Sequence, residues 1–524
     1  MKHLIAISAF LLANCISFAQ KDMAAKFAST ITVTDLKKHL TIIAGEEMEG
    51  RETGSPGERK AAAYIQQQFK SMGLQPFNAK GDYQQYFPLY QDTLVKAITS
   101  INGVKGVIGK DFLTPLTLNN NLNLPNKNIQ FVGYGIDDPK YSDYTNLNVN
   151  GKIVIFFSGE PKSEKYLTTG TSFMSDWSYS INKKLKTAKE KGALAAFVIN
   201  TYQDEFTQKD LEKNQQTSLN FNYYPSKVIL NHSILSHAYA KKVFGENFVP
   251  YLTEAKKIQP FSKQLKRFKT AKATFAFARN KNTVYSSNVL GTLEGTDKKD
   301  EFVFITAHYD HLGKHDGKIY YGADDDGSGT CGVIEMAEAF AQAAKAGNRP
   351  RRTIVFMTVS GEEKGLWGSE FYSDNPIYPL DKTTVDLNID MVGRIDTERT
   401  SADSLNYVYV IGHDKLSSDL PIINEGMNNK YTQLTLDYKF DDPNDTERIY
   451  YRSDHYNFAR KGVPVLFFYD GMLLGDYHKP TDTVDKIYWD VYEKRVKMIF
   501  HTAWEMANRD EMIVRDKPLP EGER

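Results

Sequence analysis

Four apolar segments in the C-terminal half constrain the fold of this chain more than any other feature. Each has the length and composition of a buried β-strand, and an apolar stripe at helical spacing lies between the first two. Near-continuous apolar strands joined by helices predict an α/β fold with a largely parallel (mixed) sheet sandwiched by helices. The segments are Phe302–Ala307, Thr353–Val359, Val385–Ile389 and Val463–Tyr469, and the stripe is Val333, Ala337, Phe340 and Ala344.

Acidic and imidazole side chains follow three of these segments where the strands are expected to end. His308 comes directly after the first segment, and Asp390 directly after the third. Glu362 and Glu363 follow the second. Ligands of parallel α/β sheets bind outside the carboxyl ends of the strands. The sequence therefore predicts a functional site at this edge of the sheet.

Together with two further residues, this set has the chemistry of a two-zinc site. Zinc binds histidine nitrogen and carboxylate oxygen, and two ions about 3.5–4 Å apart need one carboxylate that bridges them. His308 and Asp390 suit one ion. Glu363 and His478 suit the other, and Asp325 of the acidic run GADDDGSG can lie between them. We therefore predict two Zn²⁺ ions per chain, with positions left open for water and substrate.

Three other acidic residues have predicted supporting roles. Glu362 adjoins Glu363, so it can act as general base toward water while its neighbour binds metal. Asp310 lies two residues past His308, so on an extended strand end it projects to the same side and can accept the imidazole N–H. Asp482 can do the same for the histidine of YHKPTDT, or it is an exposed acid of a turn.

The motifs that carry these residues resemble, in order, those of the co-catalytic dizinc exopeptidases, the family of aminopeptidase S and aminopeptidase Y. The resemblance covers most of the chain, because Gly50–Glu58 (GRETGSPGE) and Arg452–His455 (RSDH) also resemble family segments. The motif series is His308-x-Asp310, Asp325-Asp326-Gly-Ser-Gly, Ser-Gly-Glu362-Glu363-x-Gly, Asp390-Met-x-Gly and Tyr477-His478-x-Pro.

This resemblance implies a zinc exopeptidase fold and a secreted aminopeptidase that hydrolyses the N-terminal peptide bond of peptides. It implies Glu362 as the general base and makes Tyr477 a candidate for stabilising the oxyanion. A non-proline cis peptide bond is expected between Asp325 and Asp326. Arg452 would shape the substrate pocket or form a structural salt bridge. The implied zinc ligands are His308, Asp325, Glu363, Asp390 and His478.

A change in predicted secondary structure along the chain indicates an inserted domain within the peptidase-like part. Residues 20–88 contain two helical stretches around the polar loop Met48–Glu58, whose glycines and proline predict a surface turn. Residues 89–279 contain short β-rich runs, and segments such as Gly151–Pro161 (GKIVIFFSGEP) resemble a protease-associated domain with a β-rich α+β fold. Residues 280–524 form the main part of the predicted zinc peptidase domain.

The N-terminus predicts export. A basic start, an apolar core and a small-residue site ending at Ala19 indicate that residues 1–19 are a signal peptide. A lipid-attachment site at Cys15 is the alternative. Otherwise Cys331 is the only cysteine of the mature chain, which excludes an intrachain disulfide. No later segment is long and apolar enough to insert stably in a membrane.

The charge balance excludes some partners. Lys+Arg and Asp+Glu are equal at 65 each, and this balance gives no electrostatic footprint for nucleic acid or anionic lipid. The resemblance to the exopeptidases implies peptide substrates as partners, and the sequence indicates no oligomeric state.

Three other functions fit parts of this pattern. A carboxypeptidase of the glutamate carboxypeptidase type needs a basic pocket, which Arg394, Arg448 and Arg452 would form if they converge. A glutaminyl cyclase-like acyltransferase shares the fold but resembles a one-zinc site, and retention of His308 beside Asp325 argues against it. A binding protein on an inactive peptidase scaffold would lose ligands, whereas all five and the general base are present here.

Overall fold

The computed structural model describes residues 23–161, 165–166, 168–200, 205–222, 228–246, 272–403 and 405–519. The predicted signal peptide and Cys15 lie outside these residues, so export stays a prediction. Within the described ranges, no helix combines the length and apolar character that crossing a bilayer requires. The chain divides into two compact units: unit one is Met1–Pro88 with Tyr285–Arg524, and unit two is Leu89–Val284.

Helices and strands alternate through most of unit one, and short strands are frequent in unit two. The helices are α1 Val33–Ile43, α2 Pro56–Met72, α3 Asp176–Tyr179, α4 Ile181–Glu190, α5 Gln208–Gln215, α6 His237–Phe244, α7 Gly327–Lys345, α8 Trp367–Asp374, α9 Asp419–Tyr431, α10 His455–Ala459 and α11 Trp489–Asn508. The strands are β1 Gln84–Ile101, β2 Val104–Lys105, β3 Phe112–Leu113, β4 Leu122–Phe131, β5 Asp137–Asp138, β6 Tyr141–Ser142, β7 Ile153–Phe157, β8 Ala195–Ile199, β9 His232–Leu235, β10 Lys272–Leu293, β11 Lys298–His308, β12 Gly313–His315, β13 Lys318–Tyr320, β14 Arg352–Val359, β15 Thr383–Ile389, β16 Tyr407–Ile411, β17 Thr435–Asp437 and β18 Val465–Tyr469.

Unit one is built on a mixed, largely parallel sheet with the strand order β17-β16-β18-β15-β11-β14-β10. Strand β11 pairs parallel with β14 and β15, and β15 pairs parallel with β18. The C-terminal half of β10 pairs antiparallel with β14, and β16 pairs antiparallel with β18. The predicted α/β fold is confirmed, and its four apolar segments correspond to β11, β14, β15 and β18.

Helices cover both faces of this sheet because successive side chains of a strand point to opposite sides. In β11, Val303 and Ile305 pack into an apolar cluster with residues of α1, α2, α7 and α11. Phe304, which lies between them, packs into a second cluster with Tyr372 of α8 and with residues of α10. The site at the carboxyl edge therefore lies on a framework that is packed on both sides.

Three polar side chains of the predicted loop Met48–Glu58 are buried, so the predicted surface turn is wrong. Arg51, Thr53 and Glu58 are only 0–1% exposed. Ser55 caps α2 by accepting the Glu58 N–H, and the helix ends at Gly73 with φ 83°. The prediction failed because the side chains of Arg51, Thr53 and Glu58 hydrogen-bond to other buried segments.

Unit two has its own run of strands, in the order β10-β4-β7-β8-β9-β3, which uses the N-terminal half of β10. Strands β4, β7, β8 and β9 pair parallel, and β10 and β3 pair antiparallel at the two ends. Helix α4 packs on this layer through Leu185 and Ala188. The unit ends at Val284, five residues after the predicted boundary, and its identity as a protease-associated domain stays a prediction.

We predict that Phe340 of α7 anchors the core of unit one. Its ring is fully buried and lies 4.6 Å from the ring of Phe500 and 5.6 Å from that of Trp504. Phe340→Ala should lower the free energy of unfolding by about 3–5 kcal/mol because it leaves a cavity. Denaturant unfolding measures this, and Ile422→Ala, at a side chain 73% exposed on α9, is the control with an expected change below about 0.5 kcal/mol. Equal stability of Phe340→Ala and wild type would contradict this packing.

Candidate metal centre

Neighbouring strand ends bring the predicted site residues together. His308 is the last residue of β11 and is in register with the last residue of β14, which precedes Glu362 by three positions. Asp390 directly follows β15. Asp325 comes from the loop before α7, and His478 from the loop after β18.

Asp325 lies between the two histidines. Its Oδ1 is 3.3 Å from His308 Nε2, and its Oδ2 is 3.3 Å from His478 Nε2. Asp390 Oδ1 is 3.5 Å from His308 Nε2, and Glu363 Oε2 is 3.0 Å from His478 Nε2. One oxygen of Asp325 thus faces each pair, which is the placement that a carboxylate needs to bridge two cations.

The next residue, Asp326, holds the surrounding backbone. The peptide bond between Asp325 and Asp326 is cis, as the resemblance implied. The Asp326 carboxylate accepts hydrogen bonds from the N–H groups of His308, Gly329 and Met391. It therefore ties the acidic loop to the ends of β11 and β15 and to the start of α7.

The site carries an excess of negative charge. Burial disfavours a charged imidazole, yet the carboxylates of Asp390 and Glu362 raise the pKa of His308 well above its usual value. Burial likewise opposes charge on His478, but Asp325 and Glu363 raise its pKa to about 10. Such a site attracts protons or a metal cation, and zinc competes for the same ring nitrogens because it binds neutral imidazole.

Several of the predicted ligand atoms form no hydrogen bonds with one another and are suited to bind a metal. His308 Nε2, Asp325 Oδ2 and Glu363 Oε1 are buried and have no hydrogen-bond partner among the described residues. Buried polar atoms without a partner are rare in folded proteins. Imidazole nitrogen and carboxylate oxygen are also the donors that zinc prefers. The residues present therefore fit zinc.

Glu362 faces a small pocket beside these ligands. Its Oε2 is 3.9 Å from His308 Nε2, and its N–H donates to Asp310 Oδ1 at 3.2 Å. Burial raises the pKa of Glu362 well above the usual value; His308 opposes this shift and Asp390 adds to it. The pocket is lined by Asp325, Glu362, Asp390, Met391, Ile449, Arg452, Phe467, Tyr469, Leu473 and Tyr477.

Asp310 lies against the His308 ring, on the side away from the pocket. His308 Nδ1 is 3.1 Å from the backbone oxygen of Asp310 and 3.6 Å from its Oδ1. The carboxylate also accepts the Thr53 hydroxyl at 2.7 Å. Asp310 can therefore orient the ring, and its backbone oxygen is closer to Nδ1 than its carboxylate is.

The structure contradicts the predicted pairing of Asp482 with His478. The Asp482 carboxylate is fully buried and accepts the backbone N–H groups of Asp324 and Asp325, at 3.0–3.1 Å. Asp482 therefore holds the backbone of Asp325. Because its side chain is buried, the alternative of an exposed turn acid is also wrong. The prediction failed because it considered only side-chain partners, whereas two free N–H groups of the acidic run are closer.

Tyr477 and Arg452 line the same pocket as Glu362. Arg452 Nη2 donates to the Tyr477 hydroxyl at 3.3 Å, and Nη1 is 3.5 Å from Glu447 Oε2. Burial raises the pKa of Tyr477, and the carboxylates of Asp325 and Glu362 raise it further. The hydroxyl therefore stays protonated and can donate a hydrogen bond into the pocket.

Arg51 connects the N-terminal helices to the loops that carry His308 and Asp325, a role that the sequence analysis missed. Its side chain is fully buried. The guanidinium donates to the backbone oxygens of Ile43, Tyr309, Tyr321 and Gly322, at 2.8, 2.7, 2.8 and 2.9 Å. The resemblance of Gly50–Glu58 to a family segment was the available signal. Backbone acceptors leave no trace in a sequence, so the partners could not be predicted.

His311 was also missed. It is fully buried, and its Nδ1 is 2.7 Å from Glu363 Oε1 and 3.8 Å from Asp325 Oδ2. The signal was a second histidine three residues after His308 in AHYDHLG. Spacing alone does not show which of two such histidines faces the acidic loop.

The C-terminal part of the chain is similar to known peptidases. A family model described as Peptidase family M28 matches residues 288–503. A probable leucine aminopeptidase of Trichophyton verrucosum is 29% identical over 216 residues, 40% of this chain and 55% of that protein. A probable zinc metalloprotease of Pyricularia oryzae is 37% identical over 123 residues, 22% of this chain and 23% of that protein.

The chain thus spans about half the length or less of these curated relatives. Among solved structures, the aminopeptidase from Aneurinibacillus sp. strain AM-1 is similar with a TM-score of 0.46 and 18% identity. That comparison covers 95% of this chain and 100% of the other.

Glu58 should make stability depend on pH. It accepts hydrogen bonds from the Ser286 and Ser360 hydroxyls and the Gly54 N–H, yet burial raises its pKa from 4.5 to about 7. The folded state therefore binds this proton more tightly, and the resulting stabilisation is lost as pH rises from about 4.5 through 7. Relative to Glu58→Gln, the free energy of unfolding of the wild type should fall across this window by up to about 3 kcal/mol.

Denaturant unfolding at stepped pH, with zinc removed by chelator, measures this difference. Glu46→Gln, at an exposed glutamate of the same loop, is the control and should follow the wild type. Parallel pH profiles for wild type and Glu58→Gln would contradict the assignment.

Proposed function

Since residues 288–503 belong to peptidase family M28, we propose that this protein is a zinc-dependent aminopeptidase with two zinc ions and Glu362 as its general base. The observation that carries the proposal is the placement of Asp325, with one oxygen toward each of two histidines, beside a pocket that Glu362 faces. The first ion would be held by His308, Asp390 and Asp325, and the second by Glu363, His478 and Asp325.

Zinc bound there would lower the pKa of a water molecule and polarise the carbonyl of the scissile bond. Glu362 then takes the proton from the water and delivers it to the leaving amine. Its raised pKa suits this task, because a carboxylate with an unshifted pKa returns a proton less readily at neutral pH. Burial of the site is the main cause of that shift.

Tyr477 would stabilise the oxyanion that forms when water attacks. Its hydroxyl stays protonated in the buried pocket, so it can donate a hydrogen bond as negative charge develops on the carbonyl oxygen. Arg452 donates to the same hydroxyl. This contact orients Tyr477 and brings a positive charge close to the developing oxyanion.

The pocket suits the N-terminal residue of a peptide. Two of its three carboxylates, Glu362 and Asp390, can attract an ammonium group, and its apolar wall includes Ile449, Phe467 and Leu473. The relatives named probable leucine aminopeptidase support a large apolar residue at this position. We therefore propose a preference for peptides that begin with such a residue.

The alternative of a carboxypeptidase needs a basic pocket for the substrate carboxylate, which Arg394, Arg448 and Arg452 would form if they converged. Arg394 is instead paired with Asp476 at 2.9 Å, and Arg448 lines a separate cavity with Tyr450. Of the three arginines, Arg452 alone lines the pocket of Glu362. The glutaminyl cyclase alternative resembles a one-zinc site, and the 3.3 Å approach of His308 to Asp325 favours a second ion.

We expect release of a chromophore from leucyl conjugates with a free amine, and loss of this activity after treatment with a zinc chelator. The α-ammonium group should be required because it pairs with carboxylates of the pocket. The same conjugates with a blocked amine, and peptides assayed for release of the C-terminal residue, are the controls. Preferential hydrolysis of either control would refute the aminopeptidase assignment.

The adjacent glutamates should respond differently to the same substitution. Glu362→Gln keeps the shape of the pocket and both zinc ions but removes the proton carrier, so kcat should fall by at least about 10²–10⁴-fold. Glu363→Gln weakens a metal ligand and should lower zinc content. Kinetics together with zinc analysis distinguish the two variants. Loss of zinc from Glu362→Gln and its retention in Glu363→Gln would exchange the two roles.

A further inference from the structure

His311 occupies a position that a hydrogen bond does not explain. Its ring is fully buried, and Nδ1 is 2.7 Å from Glu363 Oε1. The geometry is not that of a hydrogen bond, because neither ring nitrogen has a hydrogen-bond partner among the described residues. A short distance without alignment means that the two atoms are close without pointing at each other.

The atoms facing His311 are also unpartnered. Glu363 Oε1 and Asp325 Oδ2 are buried without a hydrogen bond in the described part of the chain. One donor atom from each of His311, Asp325 and Glu363 can be chosen so that all lie within 4.8 Å of one another. Three buried ligand atoms that lie this close together, with no hydrogen bond among the described residues, are placed to share one cation.

The backbone around His311 is built to hold the ring at this point. A Cβ on Gly322 would lie 2.6 Å from the ring atoms Cγ and Cδ2, so only glycine leaves room for the ring. The His311 N–H donates to the Arg51 oxygen at 3.2 Å, and the Arg51 guanidinium donates to the Gly322 oxygen at 2.9 Å. Arg51 therefore fixes both the histidine and the loop that flanks it.

We propose that His311 Nδ1 is a further ligand of the second zinc, together with Asp325, Glu363 and His478. The proposal rests on the two-zinc centre of the proposed function. It gives the second ion four protein ligands, which is the closed set typical of structural zinc, whereas the first keeps three. The two ions should therefore differ in affinity, and the first should be the one that exchanges.

Zinc affinity tests this assignment without any measurement of activity. Titration of the full chain against a competing chelator should give two ions for the wild type, one bound more tightly. Loss of a residue that only contacts a metal ligand typically lowers metal affinity by about 10–100-fold. In His311→Ala the affinity for the tightly bound ion should fall by more than this. His315→Ala, at an exposed histidine of β12, is the matched control and should bind both ions as the wild type does.

A second variant separates coordination from a hydrogen bond to Glu363. His311→Gln keeps an N–H donor but loses the imidazole, so it should bind zinc as weakly as His311→Ala. Added imidazole should restore the tight ion in His311→Gly, and the visible spectrum of the cobalt-substituted protein should regain its wild-type shape. Near-UV circular dichroism checks that each variant is folded.

Wild-type affinity for both ions in His311→Ala, or full recovery in His311→Gln, would overturn the assignment and leave the two-zinc centre intact. A wild-type protein that binds fewer than two zinc ions would instead refute the proposed function, and the assignment with it.

Discussion

The concentration of buried carboxylates at the carboxyl edge of the unit one sheet is the constraint on which the rest of the site depends. Like charges removed from water repel and lose their hydration, so each must be protonated, hydrogen-bonded or balanced by a cation. Burial and neighbouring acids raise the pKa of Asp324 and Asp326 well above the usual value. The buried acids are Asp310, Asp324, Asp325, Asp326, Asp390, Asp454, Asp470 and Asp482.

Backbone groups balance part of this charge and leave the remainder for metal. Asp482 binds two N–H groups of the acidic run, and Asp326 binds three from different segments. Arg51 forms no ion pair with a carboxylate among the described residues, but its buried positive charge interacts with the carboxylates of Asp310 and Asp325. The buried atoms without a hydrogen-bond partner in the described part of the chain include His308 Nε2, Asp325 Oδ2 and Glu363 Oε1 of the predicted ligands, and both ring nitrogens of His311. The carboxylates of Asp326 and Asp482, which hold the loops, are thus fully hydrogen-bonded, whereas atoms of Asp325, Glu363 and His308 that face the proposed zinc ions have no hydrogen-bond partner among the described residues.

Residues 51–58, which include the start of α2, hold several loops of the site in place. Arg51 reaches the backbone of the loops after β11 and before α7, and Thr53 donates to Asp310. Glu58 accepts the hydroxyl of Ser360, two residues before Glu362. The segment that follows His308, the loop before α7 that carries Asp325 and the loop after β14 that carries Glu362 are therefore each bonded to residues 51–58. Because these bonds are buried, displacement of this segment would move several site residues together.

The sequence by itself determined the α/β fold, four of the strands in the unit one sheet and the predicted ligands gathered at its edge. The apolar segments and the acidic and imidazole residues that directly follow them are local patterns in the sequence. Ligands bind outside the carboxyl ends of parallel strands, so these patterns were enough to predict the site. Tertiary structure decided the role of Asp482, the burial of Arg51, Thr53 and Glu58, and the position of His311. Arg51 binds carbonyls 258 and 271 positions away. Such side-chain-to-backbone bonds depend on how distant loops pack, and a carbonyl group looks the same at every residue.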